Sequence, residues 1–173
     1  MNRLTFITIV LFAFPAWAGE GEQGIHVDLD AVVEAGEATP VGGITSAGQP
    51  DAQALDVFAE SGYAVVIDMR GPDEDRGVDD WVGTVEATGM EYVAFPLVGK
   101  DAISFENAAK LDAMLEEIDG PVLLHCGSGN RVGALLALRE SLNGASDEEA
   151  LAHGKDAGMT RLEPVVREVL EAK

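Results

Sequence analysis

Two scarcities bound this chain of 173 residues: it has one cysteine and few cations. A single cysteine excludes an internal disulfide and excludes thiolate-rich zinc sites. Lys and Arg number 11 against 31 Asp and Glu, a formal charge of −20 at pH 7. A surface so charged repels nucleic acid and anionic membranes, so neither is expected as a partner. His26, His125 and His153 lie far apart without metal-ligand spacing, and neither a metal nor a cofactor is expected. Long apolar runs are scarce too. The run Leu4 to Phe14, behind Arg3, falls short of the roughly 20 residues that span a membrane. It suits the apolar region of a signal peptide, and Ala16-Trp17-Ala18 supplies an A-x-A cleavage site. Residues 1–18 are therefore expected to be removed after Ala18, leaving a periplasmic or secreted protein with no stable membrane insertion.

What remains has the length and apolar content of one domain, with no internal repeat or long linker. Residues 19–40, rich in Gly and acids, are expected as a flexible N-terminal segment with one short helix or strand. Residues 41–173 are expected as the folded domain. Within it, Ile44 to Ala47 reads as a short extended piece broken by Gly48 and Pro50. Asp51 opens a helix that stops at Gly62, and Ala64 to Asp68 is a β-branched run typical of a strand buried on both faces. Gly71 to Asp80 is a polar loop, Trp81 to Thr88 a helix, Glu91 to Pro96 a strand. Apolar residues at helical spacing recur from Ser104 to Ile118, from Val132 to Leu142 and after Thr160, while Ser146 and Glu149 form a capping box. This alternation predicts an α/β fold with a central, mostly parallel sheet flanked by helices.

The chemistry concentrates in His125-Cys126-Gly127-Ser128-Gly129-Asn130-Arg131. The apolar run Pro121 to Leu124 before it reads as a strand and the segment after it as a helix. A strand that ends in a Gly-rich turn and continues as a helix aims N–H groups and the positive helix end at one spot. A thiolate at Cys126 would be stabilised there, and Arg131 adds a charged fork that grips two oxygens of an oxyanion. The anion-binding loop is read as Gly127, Ser128, Gly129, Asn130 and Arg131, with a phosphate ester or other small oxyanion as substrate.

Those residues resemble the phosphate-binding loop of cysteine-dependent protein phosphatases. Together with Ser46-Ala47-Gly48-Gln49-Pro50, Val66 to Arg70, Tyr92 to Pro96 and Gly154 to Met159, they resemble the phosphatase-like domain family of the beta-lactamase-hydrolase-like proteins, over roughly residues 41–172. The resemblance implies a fold similar to dual-specificity phosphatases. It also implies catalysis through a phospho-cysteine at Cys126, with Asp101 on the loop after the preceding strand as the acid. For Asp101 the alternatives are an ordinary surface acid or a cap for the Ser104 helix. Asp68 is a second candidate acid, equally suited to tying down a loop. His125 is placed to orient the loop by hydrogen bonding, or is a buried histidine satisfied by backbone. Arg70 is read as an anchor to nearby carboxylates or as a surface ion pair with Asp68, Asp73, Glu74 or Asp75.

Two departures matter. Four residues separate Cys126 from Arg131, where the phosphatases place five; four is the spacing typical of rhodanese-type sulfurtransferases. Val132 stands where many phosphatases carry a hydroxyl that helps the sulfur leave, which predicts slow turnover. The alternatives to a phosphatase are a rhodanese-like sulfurtransferase with a persulfide on Cys126, and a catalytically weak anion-binding module.

Overall fold

The computed structural model describes residues 24–40 and 43–173; the expected signal peptide, 1–18, lies outside the described residues. The sheet consists of β1 (Ile25–His26), β2 (Ile44–Ala47), β3 (Val65–Asp68), β4 (Glu91–Ala94) and β5 (Val122–His125). All pair in parallel, in the order β1-β2-β5-β3-β4. The helices are α1 (Leu29–Ala35), α2 (Ala52–Glu60), α3 (Trp81–Ala87), α4 (Phe105–Glu116), α5 (Asn130–Leu142), α6 (Asp147–Asp156) and α7 (Glu163–Glu171). Thus the expected α/β architecture is present. The stretch read as a flexible N-terminal segment contributes an edge strand and a helix, because residues 25 and 26 pair with Thr45 and Ser46.

Parallel strands need both faces covered, and two apolar clusters do this. Val66 and Leu123 point to the face shared with Leu55, Phe58, Trp81 and Val85 of α2 and α3. Val65, Ile67, Val122 and Leu124 point the other way, toward Leu111 of α4, Leu135 of α5, Leu151 of α6 and Val166 of α7. Side chains alternating across each strand divide the sheet in this way. Polar caps fix where helices begin: Asp51, Asp80 and Ser104 accept from backbone N–H groups of α2, α3 and α4, and the Ser146–Glu149 capping box opens α6.

Helix α5 is enclosed rather than amphipathic: every residue from Val132 to Arg139 is buried. The sheet covers one side, and α4, α6 and α7 cover the rest. Against α6 the approach is so close that a Cβ on Gly133 would meet the backbone N of Met159 and O of Gly154. Glycine inside a helix ordinarily costs about 1 kcal/mol relative to alanine. Here the steric effect outweighs that gain, so Gly133→Ala should destabilise the protein by roughly 1–3 kcal/mol, the range for overpacking. Calorimetry should show a Tm several degrees lower; an unchanged or higher Tm would contradict the contact.

Candidate active site

Strand β5 lies at the centre of the sheet, between β2 and β3, with Ala47 and Asp68 directly beside His125. Because all strands run one way, the loops that follow them gather at one edge. Open α/β sheets place their ligands at such an edge, where neighbouring connections diverge. Cys126 is the first residue beyond β5, buried at 1% exposure at the base of the loop, while Gly127 and Ser128 are exposed above it. Gly129 caps α5 with φ of 74°, a conformation that favours glycine. On the β2 side, Gly48 bridges to Ser128, which brings the Gly48-Gln49-Pro50 turn against the loop.

Arg131 turns toward β3 and β4. Its guanidinium is held in a two-pronged ion pair by Glu74, with Nη2 donating to Oε2 at 2.6 Å and Nη1 to Oε1. Nη1 also donates to the carbonyls of Met69 and Leu97, at 3.3 Å each. These bonds raise the Arg131 pKa above its ordinary value, chiefly through Glu74, with the neighbouring Cys126 sulfur contributing. Glu74 also accepts from the Gly71 N–H at 2.7 Å, so the 71–76 turn is built around it. Arg131's hydrogen bonds hold Glu74 below the usual carboxylate range. Sequence reasoning placed Glu74 only among the acids around Arg70; nothing local marks it as the partner of a residue 57 positions away.

Beneath the loop lies a buried ionic cluster. Asp68 receives Nε of Arg70 at 2.9 Å and Nη2 at 2.8 Å, both side chains being fully buried. Arg70 is therefore a core anchor, not a surface pair. Burial, the largest single influence, pushes the Asp68 carboxyl up, but the hydrogen bonds and charge of Arg70 together with His125 outweigh it and hold it below its ordinary range. An acid so held stays ionised, which suits loop-tying rather than proton donation. The Arg70 guanidinium stacks on Trp81, 4.6 Å from the ring centroid.

His125 packs on the same ring, with centroids 5.4 Å apart, and its Nε2 lies 3.7 Å from Asp68 Oδ1. Its ring is fully buried, and the polar neighbours that act on it are the Asp68 carboxylate and the backbone of Cys126, the first residue of the loop. Burial drives its pKa down to about 4, against the opposing pull of Asp68. The imidazole is neutral near pH 7.

Asp101 is exposed on the short 3-10 turn Lys100–Ala102 that follows β4. It does not cap α4; Ser104 does that, its Oγ accepting from the Asn107 N–H at 3.3 Å. The same β4–α4 connection supplies the Leu97 carbonyl to Arg131, so Asp101 stands on a loop that borders the site. Asn130 is buried, its side chain directed toward residues 160–162. His26, which the sequence left unassigned, lies against the loop: a Cβ on Gly129 or on Gly158 would collide with its ring. No group of three His, Cys, Asp or Glu side chains among the described residues is placed to hold a metal ion.

A parallel sheet whose central strand delivers Cys, a glycine turn and Arg to a helix start defines the fold class of the cysteine phosphatases. Structural comparison agrees. A candidate phosphatase from Neisseria meningitidis Z2491 superposes with a TM-score of 0.62 at 21% identity, over 73% of this chain and 90% of that one. A kinase associated phosphatase carrying serine in place of its catalytic-site cysteine matches with a TM-score of 0.55 at 13% identity, over 71% and 75%. Residues 25–143 match the family model described as beta-lactamase hydrolase-like protein, phosphatase-like domain, and the chain belongs to that family. A curated relative, the beta-lactamase hydrolase-like protein of Xylella fastidiosa strain Temecula1, is 32% identical over 119 residues. That alignment takes in 64% of this chain but only 27% of the relative.

Proposed function

We propose that this protein is a cysteine-dependent phosphatase-like hydrolase acting on phosphate monoesters. The observation that carries the reading is the convergence of Cys126, the exposed Gly127 and Ser128, and a fixed Arg131 guanidinium at the start of α5. The Cys126 thiolate attacks phosphorus while the bond to the ester oxygen breaks. Asp101 gives its proton to that departing oxygen, and the loop N–H groups with Arg131 hold the equatorial oxygens. Water then attacks phosphorus, the Asp101 carboxylate takes its proton, and inorganic phosphate leaves as the thiolate is restored. Val132, buried and apolar, offers the departing sulfur no hydroxyl, which supports slow turnover in the second step.

The spacing of four residues between Cys126 and Arg131 favours a second reading, sulfur transfer. In that reaction Cys126 takes the outer sulfur of thiosulfate as a persulfide, releasing sulfite, and cyanide removes that sulfur as thiocyanate. Parallel assays of the purified protein separate the two. Aryl phosphate with phosphate release and no thiocyanate is the expected result. Strong thiocyanate formation without phosphate release would replace the first reading with the second.

A further inference from the structure

We infer that Asn130 is a positioning residue, and that through it the turn between α6 and α7 holds the catalytic loop in register; this rests on the phosphatase reading above. Asn130 is the first residue of α5 and directly precedes Arg131. Its carboxamide oxygen accepts from the Thr160 N–H at 2.8 Å, the Thr160 hydroxyl at 3.2 Å and the Leu162 N–H at 3.3 Å. Oδ1 thus collects three donors from one turn, and the side chain is buried among them. A loop residue would be expected to face the anion, and this one faces away from it.

Two further contacts tie the same turn to the site. Ser46 Oγ, at the end of β2, donates to the Ala157 carbonyl at 2.7 Å. The His26 imidazole sits between Gly129 of the loop and Gly158 of the turn, so close that neither glycine leaves room for a Cβ. Three contacts of different kinds, from β1, β2 and the first residue of α5, therefore converge on residues 157–162. Those residues lie beyond position 143, where the family match ends. The direction of the loop N–H groups and the origin of the Arg131 side chain both depend on how α5 begins. A buried acceptor with three donors fixes that start more firmly than a glycine cap alone, because an unmet donor inside the protein is costly.

The test compares Asn130→Ala with Asn130→Asp. Aspartate keeps an acceptor at the same reach; alanine leaves the Thr160 and Leu162 N–H groups unmet. Inorganic phosphate affinity by calorimetry is measured beside kcat and KM on an aryl phosphate, at a temperature below every variant's unfolding midpoint. Asn130→Ala is expected to weaken phosphate binding about tenfold and kcat/KM about a hundredfold, the scale of a small misplacement of catalytic groups. Asn130→Asp is expected to recover part of both. If the carboxamide instead donated Nδ2 to the bound anion, the new carboxylate would repel it and Asn130→Asp would fall below Asn130→Ala, which overturns the inference. Wild-type values in both variants would overturn it as well. Should Asn130→Ala not fold, Thr160→Val, which deletes only the hydroxyl donor, is expected to lower phosphate affinity a few-fold; no change would count against the role. A wild-type protein that hydrolyses no aryl phosphate yet shows this order in phosphate affinity would sink the reaction and leave the positioning role standing.

Discussion

Cys126→Ser should lose phosphate release from an aryl phosphate by roughly 10⁴-fold in kcat, the scale seen when a covalent nucleophile is removed. A serine hydroxyl is not ionised near neutral pH, and nothing in the site offers to ionise it. His125 is the nearest candidate base in sequence, but it is buried against Asp68 and Trp81, with Nε2 3.7 Å from Asp68 Oδ1. The oxyanion donors are untouched by the change, since Glu74, Met69 and Leu97 still fix Arg131. Inorganic phosphate should therefore bind the variant about as well as it binds the wild type. Steady-state release of phosphate beside a calorimetric titration reads both quantities. Activity that survives in the serine variant would remove Cys126 from the mechanism, while lost phosphate affinity would mean that the sulfur itself holds the loop in shape.

Asp68→Ala is expected to be the most destabilising single change at the site, by about 3–5 kcal/mol, the range for breaking one side of a buried ion pair. Arg70 would keep a full charge with no exposed surface, its Nε and Nη2 donors unmet and only Trp81 beneath it. Urea unfolding followed by the fluorescence of Trp81, which touches the cluster, measures the loss. A change under about 1 kcal/mol would show that water or another carboxylate replaces the ion pair.

The same cluster sets a pH dependence whose sign is fixed. Asp68 is held below its ordinary value, so its favourable contribution is present above the unfolded value and is lost as pH falls through the folded one. His125 acts in the same direction at higher pH. Its ordinary value near 6.5 drops to about 4 in the folded protein, so between these limits the unfolded chain binds a proton that the folded chain does not. Stability should fall as pH drops from 6.5 toward 4, by ~3 kcal/mol in total from this residue.

Where the sequence carried a local signal, the structure follows it. Val65 to Ile67 lie in a buried strand because a β-branched run has no polar face to offer water. Asp51 and Ser146 begin helices because their side chains meet free N–H groups a few residues on. Cys126 and Arg131 lie in one loop, so their proximity was legible too. Long-range contacts were not legible: Glu74 reaches Arg131 across 57 residues, and Thr160 reaches Asn130 across 30. Without those partners in view, Asn130 reads as an anion ligand and Glu74 as one acid among many. Strand β1 has two residues, too few for any alternating pattern to register. Helix α5 hides its surroundings differently, since burial on every side erases the amphipathic stripe that would have told which neighbours cover it.

The strand order has a consequence for how the chain assembles. Strands β2 and β3 do not pair with each other; β5 fills the space between them. Until Val122 to His125 has been synthesised, the chain can build only two separate two-stranded halves, β1-β2 and β3-β4, each with a bare edge facing the gap. Pairing across that gap joins residues 44–47 to residues 122–125, a long loop to close and an intrinsically slow step. The strand that delivers the nucleophile is thus also the keystone: the catalytic loop takes its place only as the two inner edges of β2 and β3 are closed.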